Sequence, residues 1–394
     1  MADTVEEPGA RLRVATATSR DEREAVARLR YRVYVDEMGK QPPNADHGRK
    51  MLADDMDDVA TILYVSDGDD VVATLRHVWA RNAPGSRYES IYGLVAMPEV
   101  SADAISFTSR LIIAPERRHT HVIGQLLNAI YELGRRNGLW LDFINCEPRL
   151  VGLYEAMGYR RFRPTILEDH AGLWVPLALV ADDVDYLARI QSPLARLAPR
   201  FANDPMHGRW FAGRFAEYAQ PSCARLMGAD EFWSYLTARI HVDEHPLLHG
   251  LGQEEARRIL NSGTILRVKT GQGIVRAGDP GSDMFMVLSG AVEVRATASD
   301  GMPRIIETLG KGQVFGEMSF LNSRPRTADV TALSDVELLA LNREFLERIG
   351  RAAPEAANRV LLNLAMFLTD RLQATTRNLV ERTPGNLDLA GANV

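Results

Sequence analysis

The stretch FGEMSFLNSRPRTADVTA, Phe315 to Ala332, sets a carboxylate and a guanidinium nine residues apart, Glu317 and Arg326, among glycine, small and apolar neighbours. Two chemistries are open to that pair. An ordinary surface ion pair would contribute at most about 1 kcal/mol. A ligand that is both polyol and anion would use each group separately. The carboxylate would accept from a sugar hydroxyl, and the guanidinium would make charge-assisted bonds to a phosphodiester.

The elements that must carry these residues follow from pattern. The 394 residues exceed one ordinary core and predict two or three domains. With 46% hydrophobic and 25% charged residues the composition is globular, and a net charge of −6 disfavours wholesale nucleic-acid binding. Two cysteines, Cys146 and Cys223, are too few for a disulfide framework or a zinc site, so reduced thiols, a cytoplasmic location and no metal are expected. The N-terminus lacks an apolar signal-peptide core, and the longest apolar runs are shorter than a bilayer span.

From about residue 12 to 195, helical and strand-like stretches alternate. DEREAVARLRYRVYVDEM suits an amphipathic helix fading into a loop, and ATILYVSDGDDVVATLRHVW a hairpin. SFTSRLIIAP is a strand stopped by Pro115, followed by a helix with Val122, Leu126, Leu127, Ile130 and Leu133 on one side, ending at Asn137-Gly138. A strand, LWLDFINC, a short helix ending at Gly158 and a last strand, GLWVPLALV, complete a mixed α/β segment. Residues 196–244 read as a helical, aromatic connector packed on its neighbours, with an acyl-chain lid or a dimer contact as alternatives. From 245 the regular glycines mark the turns of an all-β roll, closed by one amphipathic helix begun by Pro354 and extending to about 378.

GQGIVRAGDPGSDMFMVLSGAVEV, followed by the opening stretch, resembles the cyclic nucleotide-binding domain. The match includes its phosphate-binding cassette, Phe315-Gly316-Glu317-Met318-Ser319 and Pro325-Arg326-Thr327-Ala328. The resemblance implies that Glu317 takes the ribose 2′-hydroxyl and Arg326 the cyclic phosphate. The amides of Gly316, Met318, Ser319 and Thr327 would complete the cradle. Thr327 leaves cAMP or cGMP open as effector. The last helix is expected to close over the base as a lid or to pair with its copy in a homodimer. No helix-turn-helix follows it, so no DNA partner is expected.

SRLIIAPERRHTHVIGQLLNAIYELGRRNG and then YEAMGY resemble the GNAT superfamily of acyl-CoA N-acyltransferases. That resemblance implies donor contacts at Ile113, Arg117, Arg118, His121, Ile123 and Gly124. The two glycines of the usual pyrophosphate loop fall on His121 and Ile123, where side chains obstruct the approach of backbone N–H groups to phosphate. LRYRVYVDEMGK, ADDMDD, TLRHVW and SRL further resemble the branch of acyl-homoserine-lactone synthases and long-chain N-acyl amino acid synthases. Many members of that branch take acyl groups from acyl carrier protein, whose acidic surface would meet Arg117, Arg118, Arg135 and Arg136. The acidic residue that lactone synthases carry before Ser-Arg is Thr108 here, against a lactone product.

Amide formation from a thioester needs a neutral amine, a stabilised oxyanion and a protonated leaving thiolate. On the resemblance Tyr154 supplies the last proton. Asp55 and Asp58, or in the other register Asp54 and Asp57, orient or deprotonate the amine. Arg76 and Arg110 hold those acids, beside Arg32, Tyr34 and Ser109, while His119 and His121 belong to the donor loop. The expectation is a GNAT-like α/β domain over 12–195, a connector over 196–244 and a cyclic nucleotide-binding β-roll with its helix over 245–378. Its function would be acyl transfer from acyl-CoA or acyl carrier protein to an amine or amino acid under cyclic-nucleotide control. Two alternatives are a cAMP-regulated protein lysine acetyltransferase using acetyl-CoA and a non-catalytic sensor.

Overall fold

A computed structural model of the chain describes residues 12–118, 121–168, 172–298, 300–322 and 324–382. They divide into two compact units, one of residues 12–168 with Leu173–Pro221 and one from Ser222 onward. The aromatic connector is thus shared. Phe215 packs edge-on against Phe162, 5.6 Å between ring centres, and Trp210 lies 5.1 Å from Trp140, all within the first unit. Phe232 is fully buried in the core of the second.

The first unit is one twisted sheet in the order Arg13–Thr16, Thr61–Asp67, Asp70–Trp79, Ile105–Ile113, Leu141–Cys146, Gly172–Val180, Tyr159–Arg161. Neighbours are antiparallel except Ile105–Ile113 and Leu141–Cys146, which run parallel. Their ladder covers only Ile105 with Leu141, Ser106 with Asp142 and Phe107 with Phe143, although both strands continue beyond it. The sheet forks there. Beyond Phe107 and Phe143 the two strands share no ladder among the described residues, so their facing edges offer backbone N–H and C=O groups to another molecule.

The helix Arg20–Tyr31 starts where Ser19 and Glu22 satisfy each other's backbone donors in a capping box, and it buries Val26, Ala27, Leu29 and Tyr31. The chain does not then fade into a loop. It continues as a six-residue π-helix, Arg32–Glu37, a widened turn that re-aims side chains and recurs at functional sites. The helix Val122–Arg136 buries the expected apolar side, and Gly138 follows at φ +77°.

The second unit holds two four-stranded antiparallel sheets, Thr264–Val268, Val336–Asn342, Asp283–Ser289, Val314–Phe315 and Gly273–Val275, Asp329–Ala332, Val292–Thr297, Pro303–Leu309. Met286, Leu288, Leu339 and Phe320 form its core with Ile240, Leu247 and Leu364 from the flanking helical segments. The last helix runs Pro354–Arg382. Among the described residues no helix is long and apolar enough to cross a membrane.

One turn offers a test of this packing. Gly158 ends the helix Val151–Met157 at φ +116°, and a Cβ there would lie 2.3 Å from the buried Leu187 Cδ2 and 3.2 Å from Leu179 Cδ1. Gly158→Ala should therefore destabilise the first unit by roughly 2–4 kcal/mol, from strain and overpacking together. Urea unfolding followed by the unit's tryptophans measures this; an unchanged midpoint would contradict the packing.

Candidate functional site

Arg76 sits in the third strand of the sheet order, with 3% of its surface exposed, and cannot remain there without compensation. Its guanidinium donates to Ser109 Oγ from Nε (3.1 Å), to Tyr88 Oη from Nη2 (3.1 Å), and from Nη1 to Asp54 and to Asp57 Oδ1 (3.3 Å). Arg110 Nη2 reaches the other oxygen of Asp54 at 2.6 Å. Arg30, itself 1% exposed, donates to both oxygens of Asp57 at 2.8–2.9 Å. Three arginines on a helix and two strands thus converge on two aspartates. Arg110 adopts φ +55°, an unusual backbone for a side-chain-bearing residue, just beyond the end of the parallel ladder.

The acids at this centre are Asp54 and Asp57, and the first-named register, Asp55 with Asp58, is corrected. Asp54 caps the short 3₁₀ turn Asp55–Asp57 through Met56 N, and Asp57 Oδ2 accepts from Asp54 N at 3.0 Å. That turn faces both capping acids inward and leaves Asp55 and Asp58 exposed. Burial works to raise the Asp54 carboxyl, but Arg76 and Arg110 outweigh it and hold the group below the usual carboxylate range. A carboxylate so thoroughly paired orients its neighbours and is a weak proton acceptor.

The other arm of the fork carries Cys146 and leads to Tyr154, which is buried with its ring edge-on to Tyr159 at 5.6 Å. Burial pushes the Tyr154 phenol well above its ordinary value, so it stays protonated and keeps an O–H to donate. In the donor loop Arg118 forms a two-pronged pair with Glu37 at 2.6 and 2.8 Å, and Arg117 pairs with Asp67. Arg32 pairs with Glu116 at 3.1 Å. Of the cations expected to meet a pyrophosphate or an acidic carrier, Arg117 and Arg118 therefore already have carboxylate partners, as does Arg136 with Glu132 at 2.9 Å, while Arg135 donates to the carbonyls of Leu139 and Ala202 and to Asn203 Oδ1. His121 precedes the helix containing Ile123 and Gly124, and Ile113 ends its strand; His119 and Thr120 lie outside the described residues.

The sequence reading missed a buried polar cluster on the other side of the sheet from Arg76. Asp142 accepts from Ser106 Oγ (2.6 Å), Thr108 Oγ1 (3.0 Å) and Tyr159 Oη (2.5 Å), and His77 Nδ1 lies 3.1 Å from Thr108 Oγ1 and 3.8 Å from Asp142 Oδ1. Burial raises Asp142 to about 6 and lowers His77 to about 4. Only strand alternation around Thr108 could have signalled it, and each member alone looks like a surface residue.

In the second unit Glu317 and Arg326 are both buried and form no ion pair with each other. Arg326 Nη1 donates to Gly316 O at 3.2 Å, and its guanidinium lies 5.6 Å from the Phe285 ring centre. Its backbone is pinned to the 278–279 turn, by Arg326 N to Asp279 O (2.9 Å) and Gly278 N to Arg326 O (2.8 Å). A Cβ on Gly316, which sits at φ +82°, would lie 2.7 Å from Arg326 Nη1, and one on Gly281 would lie 2.6 Å from Nη2. Two glycines leave the space in which this guanidinium lies. Burial lowers its pKa, and Asp283, Glu317 and Asp279 oppose that. Glu317 Oε1 accepts from Arg371 Nη1 of the last helix at 3.1 Å, and Arg371 also binds Glu307. Met318 and Thr327 are exposed, linked by a 3.7 Å contact from Thr327 Oγ1 to Met318 Sδ, whereas Ser319 is buried. Arg371 was not among the expected site residues, because nothing local marks one arginine on a long polar helix.

Together these features define a forked α/β unit with an acid–arginine centre and a β-roll with a glycine-cradled arginine. Residues 25–181 match the family described as N-acyl amino acid synthase FeeM, and residues 265–352 match the cyclic nucleotide-binding domain. The chain thus joins a segment that matches the N-acyl amino acid synthase FeeM family to one that matches the cyclic nucleotide-binding domain. It is similar to the cyclic AMP receptor protein of Thermus thermophilus, 38% identical over 128 residues, covering 32% of this chain and 57% of that one. It is also similar to glutaminase 1 of Bradyrhizobium diazoefficiens, 37% identical over 129 residues, covering 33% of this chain and 20% of that one. The chain thus spans between a fifth and just over half of these relatives. The crystal structure of Thermus thermophilus catabolite activator protein is similar with a TM-score of 0.32 at 37% identity, covering 34% of this chain and 61% of that one.

Two substitutions test the first unit. Asp57→Asn leaves Arg30 buried without its anion and should cost about 3–5 kcal/mol in urea unfolding, while Asp58→Asn should be neutral within about 0.5 kcal/mol. Equal effects would contradict the inward register. The Asp142–His77 cluster predicts a pH signature. Asp142, raised in the fold, favours stability below about pH 4, and this is lost as pH rises through about 6. His77, lowered in the fold, acts oppositely, costing stability as pH falls from 6.5 through about 4. The two largely cancel. In Asp142→Asn only the histidine term remains, so stability should rise by about 3 kcal/mol between pH 4 and 6.5 relative to the parent chain. Parallel profiles would contradict this.

Proposed function

We propose that the chain transfers an acyl group from an acyl thioester, carried by acyl carrier protein or coenzyme A, to the amine of an amino acid, and that a bound cyclic nucleotide governs this transfer. The observation that supports the first part is the fork beyond Phe107 and Phe143, flanked by the Asp54–Arg76–Arg110 centre inside the segment that matches N-acyl amino acid synthase FeeM. A thioester laid along the open arms would pair with unpaired backbone groups. The neutral amine nitrogen attacks the carbonyl carbon as the C–S bond breaks, and the proton that nitrogen gives up to solvent balances the one the departing thiolate takes up. Tyr154 stands as the donor for the departing thiolate, and Arg110 is the cation nearest the opening with donors to spare. The side chains at His121 and Ile123 favour a carrier whose phosphate is not cradled by a glycine loop.

For the second part, Arg326 would hold the exocyclic oxygens of the cyclic phosphate and Glu317 the ribose 2′-hydroxyl. Glu317 is already bound to Arg371, so ribose binding bears directly on the last helix. A nucleotide that exchanges or reinforces that contact shifts the helix between arrangements, and it acts on turnover only through such a difference. Exposed Leu362, Met366 and Leu372 give this helix a surface on which a second copy would pair.

A donor panel of acetyl-CoA, long-chain acyl-CoA and long-chain acyl carrier protein, with an amino-acid acceptor, tests the transfer. The long-chain carrier substrate should give the highest kcat/KM, and preference for acetyl-CoA would contradict the reading. Arg326→Ala should weaken cAMP binding about 100-fold in calorimetry, the loss expected from removing charge-assisted bonds to a buried phosphate. An unchanged affinity would remove the cassette from the account.

A further inference from the structure

A second set of charges spans the mouth of the fork. Tyr34, on the π-helical turn, has the Arg110 guanidinium 5.5 Å from its ring centre and the Lys40 ammonium at the same distance. Lys40 Nζ donates to Glu147 Oε1 at 3.0 Å, and Arg149 Nε takes the other oxygen at 2.7 Å. Arg110 belongs to the strand on one arm, and Glu147 directly follows the strand on the other. These side chains are neither sealed nor free, with about a fifth to a quarter of each charged group exposed.

The donor count is unbalanced. Arg110 spends only Nη2, on Asp54, and Lys40 spends one N–H, on Glu147. Among the described residues, Arg110 Nε and Nη1, two N–H groups of Lys40 and the Tyr34 hydroxyl have no acceptor. Two cations with unused donors beside one aromatic ring make a place for a small carboxylate, and the largely buried setting strengthens such bonds relative to bulk water. Glu147 remains anionic, since Lys40 and Arg149 outweigh its burial and hold its pKa down at about 2. Positive and negative groups 3.0 Å apart match a zwitterion, whose carboxylate and ammonium are separated by one carbon.

Resting on the acyl-transfer reading, the geometry points to Lys40 and Arg110 as the seat of the acceptor's α-carboxylate, with Glu147 facing its α-ammonium as it enters. The acceptor is then an α-amino acid, and a plain amine lacks half of the recognition. Lys40 and Glu147 are positioning residues for the acceptor and take no part in bond making.

Lys40→Met keeps the length and removes the charge, leaving Glu147 with Arg149. With long-chain acyl carrier protein as donor, it should raise KM for phenylalanine at least tenfold with little change in kcat. KM for phenethylamine, which lacks the carboxylate, and for the donor should stay within twofold, and Lys40→Arg should restore most of the loss. Equal effects on both acceptors, or an effect confined to donor KM, would overturn the assignment; the latter would make Lys40 a donor contact. Calorimetry of phenylalanine on the full chain separates this from the reaction. Binding weakened in Lys40→Met supports the seat even without turnover, whereas binding equal in both chains, or absent from the parent, rejects it.

Discussion

The Arg76 guanidinium fixes the N-terminal unit's chemistry in place. A cation with so little access to water must be neutralised by groups that cannot drift, and Asp54, Asp57, Ser109 and Tyr88 are those groups. Satisfying it ties the acidic turn at 54–57 to the strand that forks from its neighbour. Asp54 then holds Arg110 at the opening, and Asp57 holds Arg30 and with it the helix that leads to Tyr34. The order of dependence runs from a buried charge to a loop, and from the loop to the side chains an acceptor would meet.

The β-roll solves a similar problem differently. Arg326 is not neutralised by a close partner carboxylate. It lies in space kept open by Gly316 and Gly281, with Asp279, Asp283 and Glu317 near enough to favour its charge. Glu317 is held instead by Arg371, 54 residues further along the chain. A ligand that bound Arg326 and Glu317 together would meet a carboxylate already tied to the last helix, which is the physical basis for proposing that the domain acts as a switch.

Much of this was legible in the sequence, for identifiable reasons. The cyclic nucleotide-binding segment was legible because its glycines, carboxylate and arginine stand close along the chain. Strand and helix order in the N-terminal unit followed from periodicity and from stops such as Pro115 and Gly138. The register of the acidic pair did not, because DDMDD offers two Asp-x-x-Asp frames and only the capping geometry of Asp54 selects one. Arg371, the Asp142 cluster and the Lys40–Glu147 pair were invisible for a common reason. Each joins residues from separate elements, between 17 and 107 positions apart, whose types are unremarkable singly.

The central claim is that the nucleotide in the roll governs chemistry at the fork. The rate of acyl transfer from long-chain acyl carrier protein to an amino acid, with and without saturating cAMP or cGMP, in the parent chain and in Arg326→Ala, tests it most directly. The account predicts that one of the nucleotides changes the parent rate several-fold and leaves the variant unmoved. A parent chain that binds the nucleotide and turns over at the same rate with and without it would contradict the account.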